Sequence, residues 1–452
     1  MSEFEFQEED KREVRRKRRM RNQILAYVSL IIILAIVSVG GYFGIKAVSG
    51  VLEEREQQKQ MEEALALAEQ MEETTEVSEE IPETTVQEEE ETTIEEVEEY
   101  TEEDLLNEIV ESCISEMSLE DRVAGLFMVT PEALTGVDKA VKAGDGTKEA
   151  LEKYPVGGLI YFKQNIQSKD QITEMLANTT SMSKYPIFLA VGEEGDSVAR
   201  VADALKLEKI DSCADIGETG DANNAYEAYQ TVGSYLMEYG FNVNFAPVAD
   251  VLTNPDNEAI GERSFGSDAD IVSTMVASSV KGLEDSGVTA CMKHFPGQGN
   301  ADGDTHNEMA STNKTLEELR EVELKPFAAG IEAGAEMIMV GHIAVPSITG
   351  DNTPASLSKD IITDILREEI GYNGVVITDA LNMSAVSEYY DSAQAAVMAL
   401  KAGADMVLMP EDFEAAYQGV LDAVADGTIS DARINDSLAR IYKIKYKETV
   451  DK

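Results

Sequence analysis

Histidine is rare in this chain, and its three copies mark the residues best suited to chemistry. His294 and His306 bracket a glycine-bearing loop that also contains Asp304, whereas His342 ends an apolar run. Histidine changes its charge near neutral pH, which suits proton transfer and ligand binding. Asp304 precedes His306 by two residues, so its carboxylate can orient the imidazole as an Asp–His acid/base unit. The alternative is a hydrogen-bonded core histidine, and for His342 both interpretations stay open.

Asp379 directly follows the apolar run Gly374–Thr378 and is the other candidate for chemistry. A carboxylate at the end of a buried strand binds a metal, anchors a loop or acts on a substrate. Because no cluster of Asp, Glu or His shares a ligand-like spacing with it, neither a metal nor another cofactor is expected. No Ser or Cys occupies a nucleophile turn, so Asp379 is the natural nucleophile. Together with a separate proton donor, it fits the scheme of retaining glycoside hydrolysis.

The elements that must position these residues are eight short apolar runs separated by longer amphipathic segments. The runs lack strict alternation, as expected of strands buried on both faces of a parallel sheet. They are Gly125–Thr130, Gly157–Phe162, Pro186–Val191, Asn242–Val248, Val288–Phe295, Ala335–Ile343, Gly374–Thr378 and Ala404–Met409. The segments between them include predicted helices at Thr315–Ala333, Ser358–Glu369 and Ala393–Ala402. This alternation predicts an α/β fold, a (β/α)8 TIM-type barrel, over residues 105–452. A doubly wound sheet is the alternative, but no glycine-rich dinucleotide fingerprint follows the first run.

A barrel of this kind places its active site at the C-terminal ends of its strands. The polar candidates end the apolar runs or lie in the loops that follow them: Asp250, Arg263, Lys293, His294, Asp304, His306, His342 and Asp379. Random core polar residues would not collect at one end of the strands, so the pattern indicates an enzyme. Asp250 is interpreted as a loop anchor rather than a substrate contact.

The N-terminus predicts a membrane anchor. Residues 24–46 form an almost uninterrupted apolar stretch, preceded by a tail at residues 1–23 that is rich in Lys and Arg. About 20 such residues span a bilayer. The basic tail should stay cytoplasmic, which places the rest of the chain outside a single-pass membrane anchor. A cleaved signal peptide is the alternative, but its apolar region would be shorter and would end at small residues.

The chain carries a net charge of −50, and residues 47–104 form an acidic segment rich in Glu and Thr. Such a segment buries too little apolar surface to offset its ordering entropy, so we expect a disordered stalk. Nucleic acid is not an expected partner, because phosphate neutralisation needs clusters of Lys and Arg. Cys113, Cys213 and Cys291 are odd in number, which argues against a disulfide framework. The oligomeric state stays open.

The segment Lys293–His306 resembles the KHFPGxGxxxxDxH motif of glycoside hydrolase family 3 β-N-acetylhexosaminidases of the single-domain bacterial type. Further matches follow in the family's order over residues 105–447: Gly157–Phe162, Asn244–Val251, Ile260–Phe265, Pro354–Ser358 and Val376–Asp379. The resemblance implies a barrel that removes β-linked N-acetylglucosamine, often from peptidoglycan fragments, without a metal. It implies Asp379 as the nucleophile and His306 as the acid/base, oriented by Asp304. It also implies that Arg263, Lys293 and His294 bind the sugar.

The chain departs from the family pattern after the third apolar run. Gly192 stands where the family has an Asp that binds sugar hydroxyls, and Asp196 replaces a glycine. Losing such an acceptor costs about 1.5–3 kcal/mol of sugar binding unless another group replaces it. Asp196 or Glu193 could reach into the gap.

Three functions are compatible with these departures. The first is a retaining exo-β-N-acetylglucosaminidase that acts on cell-wall glycan outside the membrane. The second is a catalytically weakened barrel that binds glycan, and the third is a glycoside phosphorylase. Retention of Asp304, His306 and Asp379 favours the enzyme, because a binding protein has no need of a nucleophile and a proton donor together.

Overall fold

A computed structural model describes residues 101–305 and 309–450 of the chain. Its strands are β1 (Phe127–Val129), β2 (Gly158–Ile160), β3 (Phe188–Val191), β4 (Val243–Asn244), β5 (Thr289–Phe295), β6 (Met337–Val340), β7 (Val375–Thr378) and β8 (Val407–Leu408). They form one 8-stranded sheet in the order β7-β6-β5-β4-β3-β2-β1-β8, and the paired neighbours are parallel. Ile377 of β7 bridges to Met406, just before β8, and Thr378 N donates to Met406 O at 3.1 Å. This contact closes the sheet, which confirms the predicted (β/α)8 barrel.

Each strand lies inside one of the predicted apolar runs, and all strand residues are buried. One face of every strand points into the barrel and the other packs against helices, so neither face needs polar side chains. This is the physical reason why the sequence shows continuous apolar runs rather than alternation.

The outer layer consists mainly of α-helices, and several begin at a side chain that caps a backbone N–H, such as Thr101, Ser168 and Asp391. The α-helices are Glu102–Glu116, Leu119–Ala124, Pro131–Thr135, Asp145–Lys153, Lys169–Met182, Arg200–Leu205, Cys213–Glu218, Ala222–Tyr239, Ala269–Glu284, Leu316–Glu321, Leu324–Glu332, Pro346–Thr349, Ser384–Ser387, Ser392–Ala402, Phe413–Ala425 and Asp431–Val450. Short 3-10 turns span Lys163–Asn165, Gly261–Arg263 and Ala355–Leu357, and Asp360–Glu369 is a π-helix.

The structure corrects one predicted helix. The segment Thr315–Ala333, predicted as one helix, forms the separate helices Leu316–Glu321 and Leu324–Glu332. Pro326 has no N–H, so it cannot bond the carbonyl of Val322, the residue that directly follows the first helix. The first described helix begins at Glu102, after a capping box formed by Thr101 and Asp104.

The predicted basic tail, the apolar anchor at 24–46 and the stalk up to residue 100 lie outside the described residues. Within the described ranges, no helix is both long enough and apolar enough to cross a bilayer. All three cysteines lie inside these ranges and are free thiols, so Cys113 and Cys213 do not pair.

Candidate active site

A cavity of about 300 Å³ lies at the C-terminal end of the barrel. It brings together four of the predicted site residues, which lie on or after three different strands: Arg263, Lys293, His294 and Asp379. A larger surface cavity of about 840 Å³ lies beside the first and last described helices, and none of the predicted site residues lines it. The convergence of charged groups therefore identifies the smaller cavity as the candidate active site.

Glu194 holds two of the predicted sugar-binding residues in place. Its carboxylate accepts hydrogen bonds from Arg263 Nε at 2.7 Å, Arg263 Nη2 at 3.0 Å and Lys293 Nζ at 2.5 Å. The Glu194 side chain is 3% exposed, so the three groups form a buried ion cluster. Burial acts to raise the pKa of Glu194, but the charges of Lys293 and Arg263 outweigh it and lower that pKa. Glu194 therefore stays ionised and fixes both cations at the cavity wall.

Asp379 lies just beyond the end of β7, where its backbone N–H donates to Val340 O of β6 at 2.8 Å. Its carboxylate accepts a hydrogen bond from the Ala380 N–H at 2.8 Å. Burial acts to raise the pKa of Asp379, but His342, His294, the Ala380 N–H and Lys293 outweigh it and lower that pKa. Asp379 is thus an anion at neutral pH, as a carboxylate nucleophile must be.

Asp250 lies beneath the segment that carries His294. It accepts hydrogen bonds from His294 Nδ1 at 2.8 Å and from the Gln298 N–H at 2.6 Å, and it is fully buried. Asp250 is therefore a loop anchor, as predicted. Because its carboxylate binds Nδ1, neutral His294 carries its proton there and leaves Nε2 as an acceptor. Gly297 supports the same loop with a φ of 118°, a conformation that favours glycine.

His342 is fully buried and does not line the cavity. Its Nε2 lies 2.9 Å from the carbonyl oxygen of Ala380, and its Nδ1 lies 2.7 Å from Ser356 Oγ. A carbonyl only accepts hydrogen bonds, so Nε2 carries a proton. His342 thereby holds the backbone immediately after Asp379, and of its two open interpretations the structural one is favoured.

Arg200, rather than Glu193 or Asp196, fills the gap beside Gly192. Arg200 Nη1 donates to the Gly192 carbonyl at 2.8 Å, and a Cβ on residue 192 would overlap this nitrogen. Glu193 instead accepts from the Val201 N–H at 2.8 Å, so it caps the helix that begins at Arg200. The exposed Asp196 pairs with Lys209 at 2.8 Å. Backbone N–H groups bind the Glu193 carboxylate and Lys209 binds that of Asp196, so in this structure Arg200, and neither of these carboxylates, occupies the gap.

The predicted acid/base pair is described only in part. Asp304 and Thr305 are within the described ranges, whereas His306 lies outside them, so the Asp304–His306 pairing stays a prediction. Thr305 lines the cavity and is fully buried. Its Oγ1 accepts a hydrogen bond from Gln298 Nε2 at 3.2 Å, which ties this stretch to the loop after β5.

The sequence reasoning missed two charged residues of the cavity, Glu194 and Arg200. Glu194 had a detectable signal, since it follows the third apolar run at the end of a strand that faces the site. Arg200 had none, because its place depends on how the loop after β3 folds back. Within the described ranges, no group of three or more His, Cys, Asp and Glu side chains is arranged to hold a metal ion.

Residues 118–444 match the model of the glycosyl hydrolase family 3 N-terminal domain. The chain belongs to glycoside hydrolase family 3. The match covers every strand of the barrel and every residue of the cavity. The predicted family is therefore confirmed, and the chain is a glycoside hydrolase.

Curated relatives and solved structures of this family carry related names. The chain is 33% identical over 328 residues to the Beta-hexosaminidase A of Pseudoalteromonas piscicida. This alignment covers 66% of this chain and 54% of the relative. It is 34% identical over 319 residues to a Beta-hexosaminidase of Stenotrophomonas maltophilia, covering 65% of this chain and 93% of the relative.

Among solved structures, a family 3 beta-N-acetylglucosaminidase from Paenibacillus sp. str. FPU-7 matches with a TM-score of 0.70 and 34% identity, over 74% of this chain and 64% of that one. A Beta-N-acetylhexosaminidase from Beutenbergia cavernae matches with a TM-score of 0.65 and 27% identity, over 73% of this chain and 99% of that one. The chain thus spans about half the length of one of these relatives and nearly all of others.

Proposed function

We propose that this glycoside hydrolase is a retaining exo-β-N-acetylglucosaminidase that acts on cell-wall-derived glycan. The observation that carries the proposal is the ionised Asp379 carboxylate, which lines a cavity together with Arg263, Lys293 and His294. The cavity of about 300 Å³ suits one terminal sugar better than a glycan chain, which favours exo-cleavage. The relatives named as hexosaminidases support the choice of an N-acetylated amino sugar.

In the proposed reaction, a carboxylate oxygen of Asp379 attacks the anomeric carbon and the glycosidic C–O bond breaks. Protonated His306 donates its proton to the departing oxygen, which leaves a glycosyl ester on Asp379. Neutral His306 then takes a proton from water, whose oxygen displaces Asp379 and releases the sugar with retained configuration. Thr305 lines the cavity directly before His306 in the chain, which supports His306 as the proton donor.

Three surrounding residues have distinct parts in this scheme. Arg263 and Lys293, fixed by Glu194, present donors to the sugar hydroxyls, and His294 presents Nε2 as an acceptor. Because Asp250 and Glu194 orient these groups before the sugar arrives, little ordering energy is spent on binding.

The first test is release of chromophore from an aryl β-N-acetylglucosaminide by the purified full chain. Asp379→Asn should lower kcat/KM by about a thousandfold or more, since it removes the nucleophile. Asp196→Asn is the matched control, because Asp196 is exposed and lies in the loop after β3, at the same end of the barrel as the cavity. It should leave kcat/KM within about threefold. Mass spectrometry of the enzyme with a slowly released fluorosugar should place the adduct on Asp379.

The same assay separates the alternatives. A folded wild-type chain that binds N-acetylglucosamine without turnover would refute the glycosidase and favour the glycan-binding barrel. Products that become sugar 1-phosphates when inorganic phosphate is added would favour the phosphorylase over the hydrolase.

We also propose that the enzyme acts outside the cell membrane, held by residues 24–46. Support comes from the apolar stretch and the basic tail before it. We expect the full chain to stay in the membrane when it is extracted with alkaline carbonate. We also expect an external protease to digest the barrel in intact cells. Release by carbonate would contradict the anchor.

A further inference from the structure

Arg200 differs from the other cations of the active-site cavity. Arg263 and Lys293 both bind Glu194, whereas Arg200 donates to the Gly192 carbonyl at 2.8 Å. Within the described residues, no carboxylate lies within the 4.0 Å salt-bridge distance of the Arg200 guanidinium. A guanidinium carries five N–H donors in a planar fork. Described protein groups therefore use only a small part of its hydrogen-bonding capacity.

Two contacts hold this guanidinium at the cavity wall. It lies over the ring of Phe162, 5.2 Å from the ring centroid, and Phe162 lines the same cavity. On its other side, it occupies the space that a side chain at residue 192 would need, because Gly192 has no Cβ. Arg200 is thus positioned before a ligand binds, which lowers the entropy cost of using it.

Among the described residues that line the cavity, cationic side chains outnumber carboxylates. The cations are Arg200, Arg263 and Lys293, and the carboxylates are Glu194 and Asp379. This excess of positive charge lies in a chain whose net charge is −50. Water can solvate the half-buried Arg200 in the free enzyme, but a sugar that fills the cavity displaces that water. The ligand must then supply the acceptor, since a cation stripped of water and left without a partner is costly.

We propose that Arg200 binds an anionic substituent on the terminal N-acetylhexosamine, either a carboxylate or a phosphate or sulfate ester. The enzyme then prefers an acidic amino sugar to neutral N-acetylglucosamine. The planar fork of Arg matches these oxyanions with two parallel hydrogen bonds, which a neutral hydroxyl does not offer. This inference rests on the proposed function for the identity of the sugar, and it extends that function to the substrate class.

Calorimetric titration of the full chain tests the inference without requiring turnover. The probes are N-acetylglucosamine, its 6-phosphate, its 6-sulfate and N-acetylmuramic acid, which carries a carboxylate on an ether. We expect at least one anionic probe to bind about 10- to 100-fold more tightly than the neutral sugar, as charge-assisted hydrogen bonds provide. The probe that gains most identifies the anion as an ester or a carboxylate.

Three variants assign the preference to Arg200. Arg200→Ala should abolish the anionic preference, because it should weaken binding of the anionic probes about 10- to 100-fold more than binding of N-acetylglucosamine. Gly192→Asp should abolish it as well, because the new carboxylate would pair with Arg200. Lys163→Ala is the matched control: Lys163 follows Phe162 but is exposed and pairs with Asp203, so the preference should remain.

The inference is overturned if the neutral sugar binds as well as every anionic probe, or if the folded wild-type chain binds none of them. It is equally overturned if Arg200→Ala weakens all probes by the same factor, which would indicate a structural role. The aryl glycoside assay reports separately on the proposed function. Anion-selective binding without hydrolysis would refute the proposed glycosidase activity but not the role of Arg200. Hydrolysis without selective binding of the anionic probes would refute the role of Arg200 but not the glycosidase activity.

Discussion

Replacing Glu194 by Gln should destabilise the barrel strongly, because it removes the anion that two cations share. The Glu194 side chain is 3% exposed, and those of Lys293 and Arg263 are 7% and 17% exposed. Gln keeps the shape and one oxygen but leaves two positive charges close together in a poorly solvated place. Breaking a buried ion pair from one side costs about 3–5 kcal/mol. Since domains are stable by about 5–15 kcal/mol, this is a large part of the total.

The assay is unfolding in guanidinium followed by circular dichroism, because the chain has no tryptophan for fluorescence. Glu193→Gln is the matched control: Glu193 is equally buried, but it accepts from the Val201 and Ala202 N–H groups and from Tyr235. Gln has only one acceptor oxygen, so its replacement leaves one of these donors without a hydrogen bond and should cost about 1–3 kcal/mol. A loss in Glu194→Gln no greater than in Glu193→Gln would refute the interpretation of the cluster.

The pH dependence gives a second test of the same cluster. The folded-state pKa of Glu194 lies below its ordinary value of 4.5, despite burial, because of Lys293 and Arg263. Its contribution to stability is therefore full above pH 4.5 and is lost as the pH falls through the lowered folded-state pKa. The stability difference between wild type and Glu194→Gln should be constant from pH 7 to 5 and shrink only in strong acid. A difference that grows as the pH falls would contradict this sign.

Asp250→Asn should lower kcat/KM by about 10- to 100-fold, because an amide N–H facing His294 Nδ1 disfavours the tautomer protonated on Nδ1, which the carboxylate selects. An unchanged kcat/KM would show that His294 does not need this tautomer. The pKa of Glu284 is shifted in the opposite direction to that of Glu194, because burial and the nearby Glu336 raise it to about 8. Its protonated form stabilises the folded state below pH 4.5, and this contribution is lost as the pH rises through about 8. Glu284→Gln should therefore raise the melting temperature increasingly between pH 5 and 9, and a pH-independent difference would count against the shift. Protonation of Asp379 should reduce kcat/KM only below pH 3.8, because its pKa lies under that value; an acid limb centred near pH 6 would have to belong to another group.

The fold was predictable because parallel strands buried on both faces leave a local mark. A continuous apolar run is needed wherever a strand has a core on each side, so each of the eight strands could be placed within a few residues. The helix boundaries were less certain, since a single residue such as Pro326 divides a segment whose amphipathic pattern is continuous. Of the candidate site, Arg263, Lys293, His294 and Asp379 were predictable because each lies on, or in a loop after, a barrel strand.

The amino-acid sequence by itself determined the barrel, its family and the residues at the open end of its strands. Only the tertiary structure decided how these residues pair, because their partners lie far apart along the chain. Glu194 joins Arg263 to Lys293 across three strand ends, and Asp250 selects the tautomer of His294 from the neighbouring strand. Whether Arg200 fills the gap beside Gly192 depends on the turn after β3, and a turn of this kind is set by packing rather than by local residue preference.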